Sequence, residues 1–351
     1  MLTILVLAAV LTALGWVFGV PMRLRLAGLG LIWLAMVVAH LVLPEGAPFR
    51  AATGGDVRPW LVLALLALAV FGYRAMLKAL RKRAAIREAE TMPETKKPLF
   101  SEAELNRYAR HMMLREVGGP GQRRLKEAKV LVIGAGGLGA PALLYLAAAG
   151  VGTIGVVDDD SVESSNLQRQ IIHSDLTVGM PKVFSAQEQM EALNPFITVK
   201  PYHRRLDETA AEALFAEYDL ILDGTDNFDT RYMANRVAAR LGKALVAAAI
   251  TQWEGQISVY DPARGGPCYE CVFPERPAPG LVPSCAEAGV IAPLPGVLGA
   301  MMAMEAVKLI TGAGESLRGA MLIYDGLYAE TRRIGLKPRA DCPVCHGGPA
   351  G

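Results

Sequence analysis

The sequence predicts an α/β protein built on a doubly wound, mostly parallel sheet with an antiparallel extension, preceded by two to three transmembrane helices. Three observations predict it. Uncharged apolar runs crowd the N-terminal part, and a further apolar run enters a glycine-spaced turn at "VLVIGAGGLGAP", residues 130–141. From Leu99 onward, short β-type segments alternate with amphipathic helical ones through brief connections.

Hydrophobic residues make up 52% of the 351, and the excess sits at the front. Residues 1–22 carry no charge, and residues 26–44 carry none apart from His40; both reach the roughly 17–25 apolar residues that a spanning helix needs. A third run from Trp60 is interrupted by Arg74 and is marginal on length, although a long basic side chain can snorkel to the headgroups. A removable signal peptide wants a positively charged start, and the first basic residue is Arg23. The segment 1–77 is therefore expected to be a transmembrane region of about three helices. Residues 74–97 hold eight basic and three acidic groups, so the positive-inside rule puts this end in the cytoplasm. Residues 78–98 then read as a basic cytoplasmic linker beside anionic lipid. The expected location is the inner (cytoplasmic) membrane with the following domain, 99–351, in the cytoplasm. That domain carries a net charge of −5, which argues against a nucleic-acid partner.

The domain opens with a helix over "SEAELNRYARHMMLREV", where Ser101 and Glu104 have the spacing of a capping box. Strand "KVLVIGA", helix 137–149, strand "TIGVVD", helix "PKVFSAQEQMEAL", strand "ITVKPYH", helix 208–217, strand "DLILDGTD", helix 228–241 and strand "ALVAAAI" follow. Such a βα rhythm makes a Rossmann-like sheet. Strands "GQISVYD", "GAMLIYDG" and "AETRRIGL" add the antiparallel pairing. Helix "VLGAMMAMEAVKLITG" precedes the last two, and its Met301, Met302 and Met304 read as core filler.

The glycine turn, Gly134, Gly136, Gly137 and Gly139, with Asp158 at the end of the next strand, fits NAD as well as ATP. The segment "DDDSVESSNLQRQIIHSDLTVGMPK" discriminates between them. It supplies Asn166, Arg169, Gln170 and Lys182 in close order, and such groups suit a triphosphate, whose charge needs fixed counter-charges in the transition state. A nicotinamide dehydrogenase leaves Arg169 and Lys182 without a task. Asp223 and Asp226 end a strand at the carboxyl edge of the sheet, where α/β ligands bind. A carboxylate facing a triphosphate does so through Mg²⁺, although "TDN" before a helix also fits a helix cap. Cysteines stand at 268, 271, 285, 342 and 345. Cys268-x-x-Cys271 and Cys342-x-x-Cys345 have the spacing of a tetrahedral Cys₄ zinc site, in a compartment that disfavours disulfides.

With "RYARHMML", "GAGGLGAP", "DDDSVESSNLQRQ", "VGMPK", "DGTDNFDTR", "CYEC", "SCAEAGVIAPLPGVLG" and "CPVC", residues 101–345 resemble the ThiF/MoeB/HesA family, prokaryotic relatives of the ubiquitin-activating enzymes. The resemblance implies an ATP-binding adenylyltransferase that uses MgATP to adenylate the C-terminal Gly-Gly carboxylate of a ubiquitin-like sulfur-carrier protein and releases pyrophosphate. The type it most resembles is molybdopterin-synthase adenylyltransferase, with the small subunit of that synthase as carrier. A thiamine-pathway carrier and a non-catalytic, membrane-tethered scaffold for a ubiquitin-like protein are the alternatives. Carried over by position, the four glycines form the nucleotide loop, Asp158 holds the ribose, and Asn166, Arg169 and Lys182 bind phosphates with Gln170 beside them. Asp226 holds Mg²⁺. Arg110 matches an arginine passed to the other subunit's active site, which implies a homodimer, and Cys285 occupies the reactive-cysteine position. The chain ends at Gly351 without a rhodanese-like domain, so a separate sulfur donor, such as a cysteine desulfurase or rhodanese, is expected.

Overall fold

The computed structural model describes residues 2–44, 46–91, 99–277 and 288–345. The chain divides into two compact units, Met1–Lys97 and Pro98–Gly351.

The first unit is helical: α1 (Leu2–Val17), α2 (Met22–Val42), α3 (Pro48–Ala52) and α4 (Arg58–Thr91). Its lengths agree with the expectation for the second apolar run and differ from it for the first and third. α1 stops after 16 residues, about 24 Å at the helical rise and short of a hydrocarbon core of about 30 Å. The stop is local. Gly19 adopts φ +68°, the Val20 N–H closes onto the Gly15 carbonyl at 2.8 Å, and Pro21 then caps α2. The third run, by contrast, belongs to a 34-residue helix whose apolar part, Arg58–Arg83, is long enough to cross, as is α2. Residues 78–91, expected as linker, continue this helix: no glycine or proline interrupts the stretch, and Ala, Leu, Lys, Arg and Glu dominate it. The remainder of that linker, 92–98, lies outside the described residues. Inside the unit, His40 is buried, its Nδ1 2.9 Å from the Met36 carbonyl and its Nε2 3.1 Å from Thr53 Oγ1.

In the second unit, α5 (Glu102–Met112) carries the expected capping box, with the Glu104 N–H donating to Ser101 Oγ and the Ser101 N–H donating to Glu104. α6 (Gly118–Glu127) follows, although "GGPG" in its first turn reads as a breaker. Tertiary contact sustains it: Leu125 is wholly buried, and Gln122 Nε2 donates to the Ala149 carbonyl at 2.8 Å. Next come β1 (Lys129–Ile133), α7 (Gly139–Ala149), β2 (Thr153–Asp158), α8 (Lys182–Leu193), β3 (Thr198–His203), α9 (Glu208–Ala216), β4 (Leu220–Asp223), α10 (Phe228–Arg240), β5 (Ala244–Thr251), β6 (Glu254–Tyr260), α11 (Tyr269–Val272), α12 (Pro293–Thr311), β7 (Ala320–Asp325) and β8 (Glu330–Gly335). The eight strands form one sheet in the order β3-β2-β1-β4-β5-β6-β7-β8. β3 to β5 pair in parallel, and β6, β7 and β8 add antiparallel partners. The chain order reverses at β1, between β2 and β4, and ligands of doubly wound sheets bind outside such a switch point.

Two cores flank the sheet. One gathers Leu143, Leu146, Met190 and Leu298 from α7, α8 and α12 with the inward residues of the strands. The other gathers Leu214, Phe215, Tyr232 and Val237 from α9 and α10 with Leu131 and Ile221. α12 is as long and apolar as a spanning helix, yet half of it is buried within the domain. Its methionines divide by helical phase: Met302 is fully buried, Met301 packs on the core, and Met304 is 63% exposed. Two residues' advance turns a side chain about 200°, which is why Met304 is not core filler. Met302→Ala is expected to destabilise the domain by about 2–5 kcal/mol and Met304→Ala by less than about 0.5 kcal/mol, read from denaturant midpoints.

Candidate active site at the sheet switch point

β1 delivers the chain into a turn that glycine permits. Gly134 adopts φ +90°, and a Cβ on Gly139 would stand 1.9 Å from the Gly134 carbonyl oxygen. Gly136 is different: the nearest atom to its Cβ position is Gln170 Nε2 at 3.7 Å, so its missing side chain keeps the outer face of the turn open. α7 starts at Gly139, and its N-terminal N–H groups follow directly on the turn. β4 arrives alongside in the register Ile133↔Asp223. The Gly224 N–H donates to the Ile133 carbonyl at 2.9 Å, and the place of a Gly134 Cβ lies 3.3 Å from the Gly224 carbonyl oxygen.

Between these loops opens a cleft of about 800 Å³, a size suited to a small-molecule ligand. Gly134, Gly136, Gly137, Asp158, Arg169, Gln170, Lys182 and Asp226 line it. Gly139 lies beneath the turn. Asn166, expected at the phosphates, does not line the cleft; its Oδ1 accepts from Arg169 Nη2 at 3.2 Å, so it holds the arginine. A short side chain on the 3₁₀ turn Ser164–Asn166 reaches its i+3 neighbour more readily than the cleft. Arg110 is exposed on α5 and stands outside this chain's own cleft. Cys285 lies outside the described residues.

The electrostatics of the cleft come from buried charge. Asp158 accepts from the Ala135 N–H at 2.8 Å and the Asp160 N–H at 2.9 Å. Burial raises its pKa above the ordinary carboxylate value, and Lys182 opposes that rise. The Lys182 side chain is 6% exposed, and its Nζ donates to Asp160 Oδ2 at 2.7 Å. A lysine at the first position of α8 opposes the helix dipole. The sequence alone assigns its counter-charge to a ligand, whereas here Asp160 supplies it. Gln170 is buried, and its Oε1 has no hydrogen-bond partner within the protein, which is uncommon for a buried polar atom. Asp226 is exposed in the cleft, and the cap of α10 is Asn227, which accepts from the Thr230 N–H at 2.8 Å.

Sequence reasoning missed the far wall. Arg231, Tyr232, Tyr269 and Phe273 line it. Tyr269 meets Tyr232 edge-on at 5.3 Å and Phe273 at 4.8 Å; burial pushes its hydroxyl up to about 12, with Arg231 opposing. The available signal was position: Arg231 is the last residue of "DGTDNFDTR", and Tyr269 lies inside "CYEC". Beside this wall, the Sγ atoms of Cys268, Cys271, Cys342 and Cys345 all lie within 4.8 Å of one another. The separations for 268–271, 268–342 and 271–345 are 3.8, 3.5 and 3.3 Å. A tetrahedron with metal–sulfur bonds of about 2.3 Å has edges of about 3.8 Å. Burial pushes the Cys268 thiol up and Cys345 to about 12, whereas at Cys342 burial is outweighed by the backbone N–H groups of Cys345 and Val344, which hold the thiol below its ordinary value.

The ThiF family model matches residues 108–344. The chain belongs to the ThiF family. A sulfur carrier protein adenylyltransferase of Thermus thermophilus is 49% identical over 250 residues, covering 70% of this chain and 92% of that protein. The probable adenylyltransferase/sulfurtransferase MoeZ of Mycobacterium tuberculosis is 51% identical over 247 residues, covering 70% of this chain but only 63% of MoeZ. The crystal structure of E. coli MccB with MccA-N7isoASN superposes with a TM-score of 0.62 at 24% identity, covering 68% of this chain and 74% of that one; at that identity the likeness speaks for the fold. In this ThiF-family chain, Asn227→Ala is expected to cost about 1 kcal/mol through the lost cap of α10. Asp226→Ala is expected to stay within about 0.5 kcal/mol of wild type. Thermal unfolding of both variants checks the assignment.

Proposed function

We propose that this protein is an adenylyltransferase that uses ATP to adenylate the C-terminal carboxylate of a ubiquitin-like sulfur-carrier protein, with release of pyrophosphate. The observation that carries the reading is the convergence of Arg169, Gln170, Lys182 and Asp226 on one glycine turn in a single cleft. The Thermus thermophilus relative, a sulfur carrier protein adenylyltransferase, supports the carrier as the acceptor. Of the carriers, the small subunit of molybdopterin synthase is the first to test and the thiamine-pathway carrier the second.

A carboxylate is already ionised at neutral pH, so no general base is needed. One carboxylate oxygen attacks the α-phosphorus of ATP, the bond from that phosphorus to the β-bridging oxygen breaks, and pyrophosphate leaves with the electron pair. The protein's task is positioning and charge neutralisation. The open face at Gly136 admits the phosphates, Asp158 receives the ribose hydroxyls, and the orphaned Oε1 of Gln170 accepts from the ligand. Arg169, braced by Asn166, and Lys182, released from Asp160, draw charge off the departing pyrophosphate. Asp226, exposed and relieved of capping, is the residue to hold Mg²⁺, which supplies charge neutralisation on the triphosphate. The four-sulfur cluster fits a structural Zn²⁺ that ties the C-terminal segment to α11. Arg110, outside its own cleft, fits a part in the site of a second copy, and so a homodimer. α2 and α4 fit anchorage in the cytoplasmic membrane with the domain in the cytoplasm. Cys285 and a separate sulfur donor, such as a cysteine desulfurase or rhodanese, serve the step after adenylation.

Pyrophosphate exchange by the full chain in detergent, with each carrier in turn, tests the reading. Arg169→Ala and Lys182→Ala are expected to lower exchange by about 10²-fold or more, and Cys285→Ala to leave it in place. Exchange with no carrier, by folded protein, overturns the catalytic reading in favour of a scaffold. Metal analysis is expected to find about one zinc per chain, and Cys342→Ser is expected to lose it.

A further inference from the structure

The carboxylate of Asp226 stands on a three-residue connection, 224–226, between Asp223 at the end of β4 and Asn227 at the cap of α10. Nothing regular supports this connection, and yet its middle is anchored from two sides by buried charge. Asp223 is 1% exposed, and its Oδ1 accepts both the Thr225 N–H at 2.9 Å and the Thr225 hydroxyl at 2.6 Å. Arg231 is 6% exposed, and its Nη2 donates to the Thr225 carbonyl and, at 2.7 Å, to the Ala248 carbonyl on β5. All three hydrogen-bonding groups of Thr225 are thus engaged by one carboxylate and one guanidinium. The third restraint is the Gly224 N–H on the Ile133 carbonyl, which joins the connection to the strand that leads into the glycine turn.

We propose that Asp223 and Arg231 are positioning residues that clamp Thr225 and thereby set where the Asp226 carboxylate stands against the glycine turn; this rests on the proposed role of Asp226. Burying two ionised side chains is costly unless each is well bonded, and both direct their bonds to the residue next to Asp226. The two charges also act on the same pair of rings: burial raises the hydroxyl pKa values of Tyr260 and Tyr269, Asp223 adds to the rise, and Arg231 opposes it. Asp223 Oδ2, by contrast, is buried without a hydrogen-bond partner. The turn at Thr225 therefore needs only one oxygen of Asp223, and asparagine offers the same oxygen.

The test is binding of a non-hydrolysable ATP analogue to the full-length protein in detergent, titrated with Mg²⁺. Asp223→Ala and Arg231→Ala are each expected to raise the Mg²⁺ concentration for half-maximal binding by about tenfold or more, as loss of a group supporting a metal ligand does. The double variant is expected to lose less than the product of the two, because both act on Thr225. Asp223→Asn is expected to recover most of the loss. Unchanged Mg²⁺ dependence in folded Asp223→Ala overturns the clamp, and a folded Asp223→Asn as impaired as Asp223→Ala assigns the function to Oδ2 and overturns it too. Should Asp223→Ala fail to fold, Arg231→Lys, which keeps the charge and loses the fork, carries the same expectation and the same refutation. Unchanged Mg²⁺ dependence in Asp226→Ala, with the clamp variants still impaired, removes the role of Asp226 and leaves Thr225 as the point of effect.

Discussion

The structure depends on a backbone contact with no room for side chains. The chain leaves β1, turns at Gly134 and re-enters a helix at Gly139 so tightly that a single methyl at Gly139 would overlap the Gly134 carbonyl. Gly224, arriving from β4, closes on the same turn. Everything chemically useful is referenced to this junction. Asp158 ends the strand on one side of β1, Asp226 follows the strand on the other, and the helix N-terminus stands behind the turn. A parallel sheet brings strand ends to one edge, but the three glycines bring that edge close enough for one ligand to touch all of it.

Charge at this edge is held in reserve. Lys182 is nearly sealed from solvent and already bonded to Asp160, Arg169 is braced by Asn166, and the carboxylate of Asp158 is occupied by two backbone N–H groups. The opposite wall is aromatic: Tyr269 packs against Tyr232 and Phe273, and the Tyr232 hydroxyl donates to the Phe273 carbonyl at 2.8 Å. Tyr269 sits directly after the first cysteine of a four-sulfur cluster that also takes in Cys342 and Cys345. The far end of the domain sequence is thereby brought next to the wall of the cleft.

Much of this was legible beforehand because it depends on local pattern. The βα rhythm, the glycine spacing, the capping box at Ser101 and the paired Cys-x-x-Cys motifs are all short-range features, and they sit where the sequence suggested. What escaped depends on non-local partners or on phase. The first apolar run looked long enough to span, but Gly19 and Pro21 end its helix, while the run that looked marginal is carried by a helix that continues through Gly72 and Arg74 to Thr91. α6, for which the sequence predicted no element, is held by Leu125 and Gln122. In "TDN" the cap is Asn227, and only the fold shows which of the two side chains turns back on the helix. The partner of Lys182 is a carboxylate 22 residues earlier, a pairing that no spacing rule supplies.

That pairing has a bearing on selectivity. A cation that already owns a carboxylate does not attract passing chloride, and a small singly charged anion has little to offer it in exchange. A ligand dense in negative oxygen, able at the same moment to engage Arg169, is the kind that would displace Asp160 on favourable terms. Under the proposed function, the pair, with Lys182 buried and Asp160 exposed, therefore sets a threshold that favours polyphosphates over simple salts.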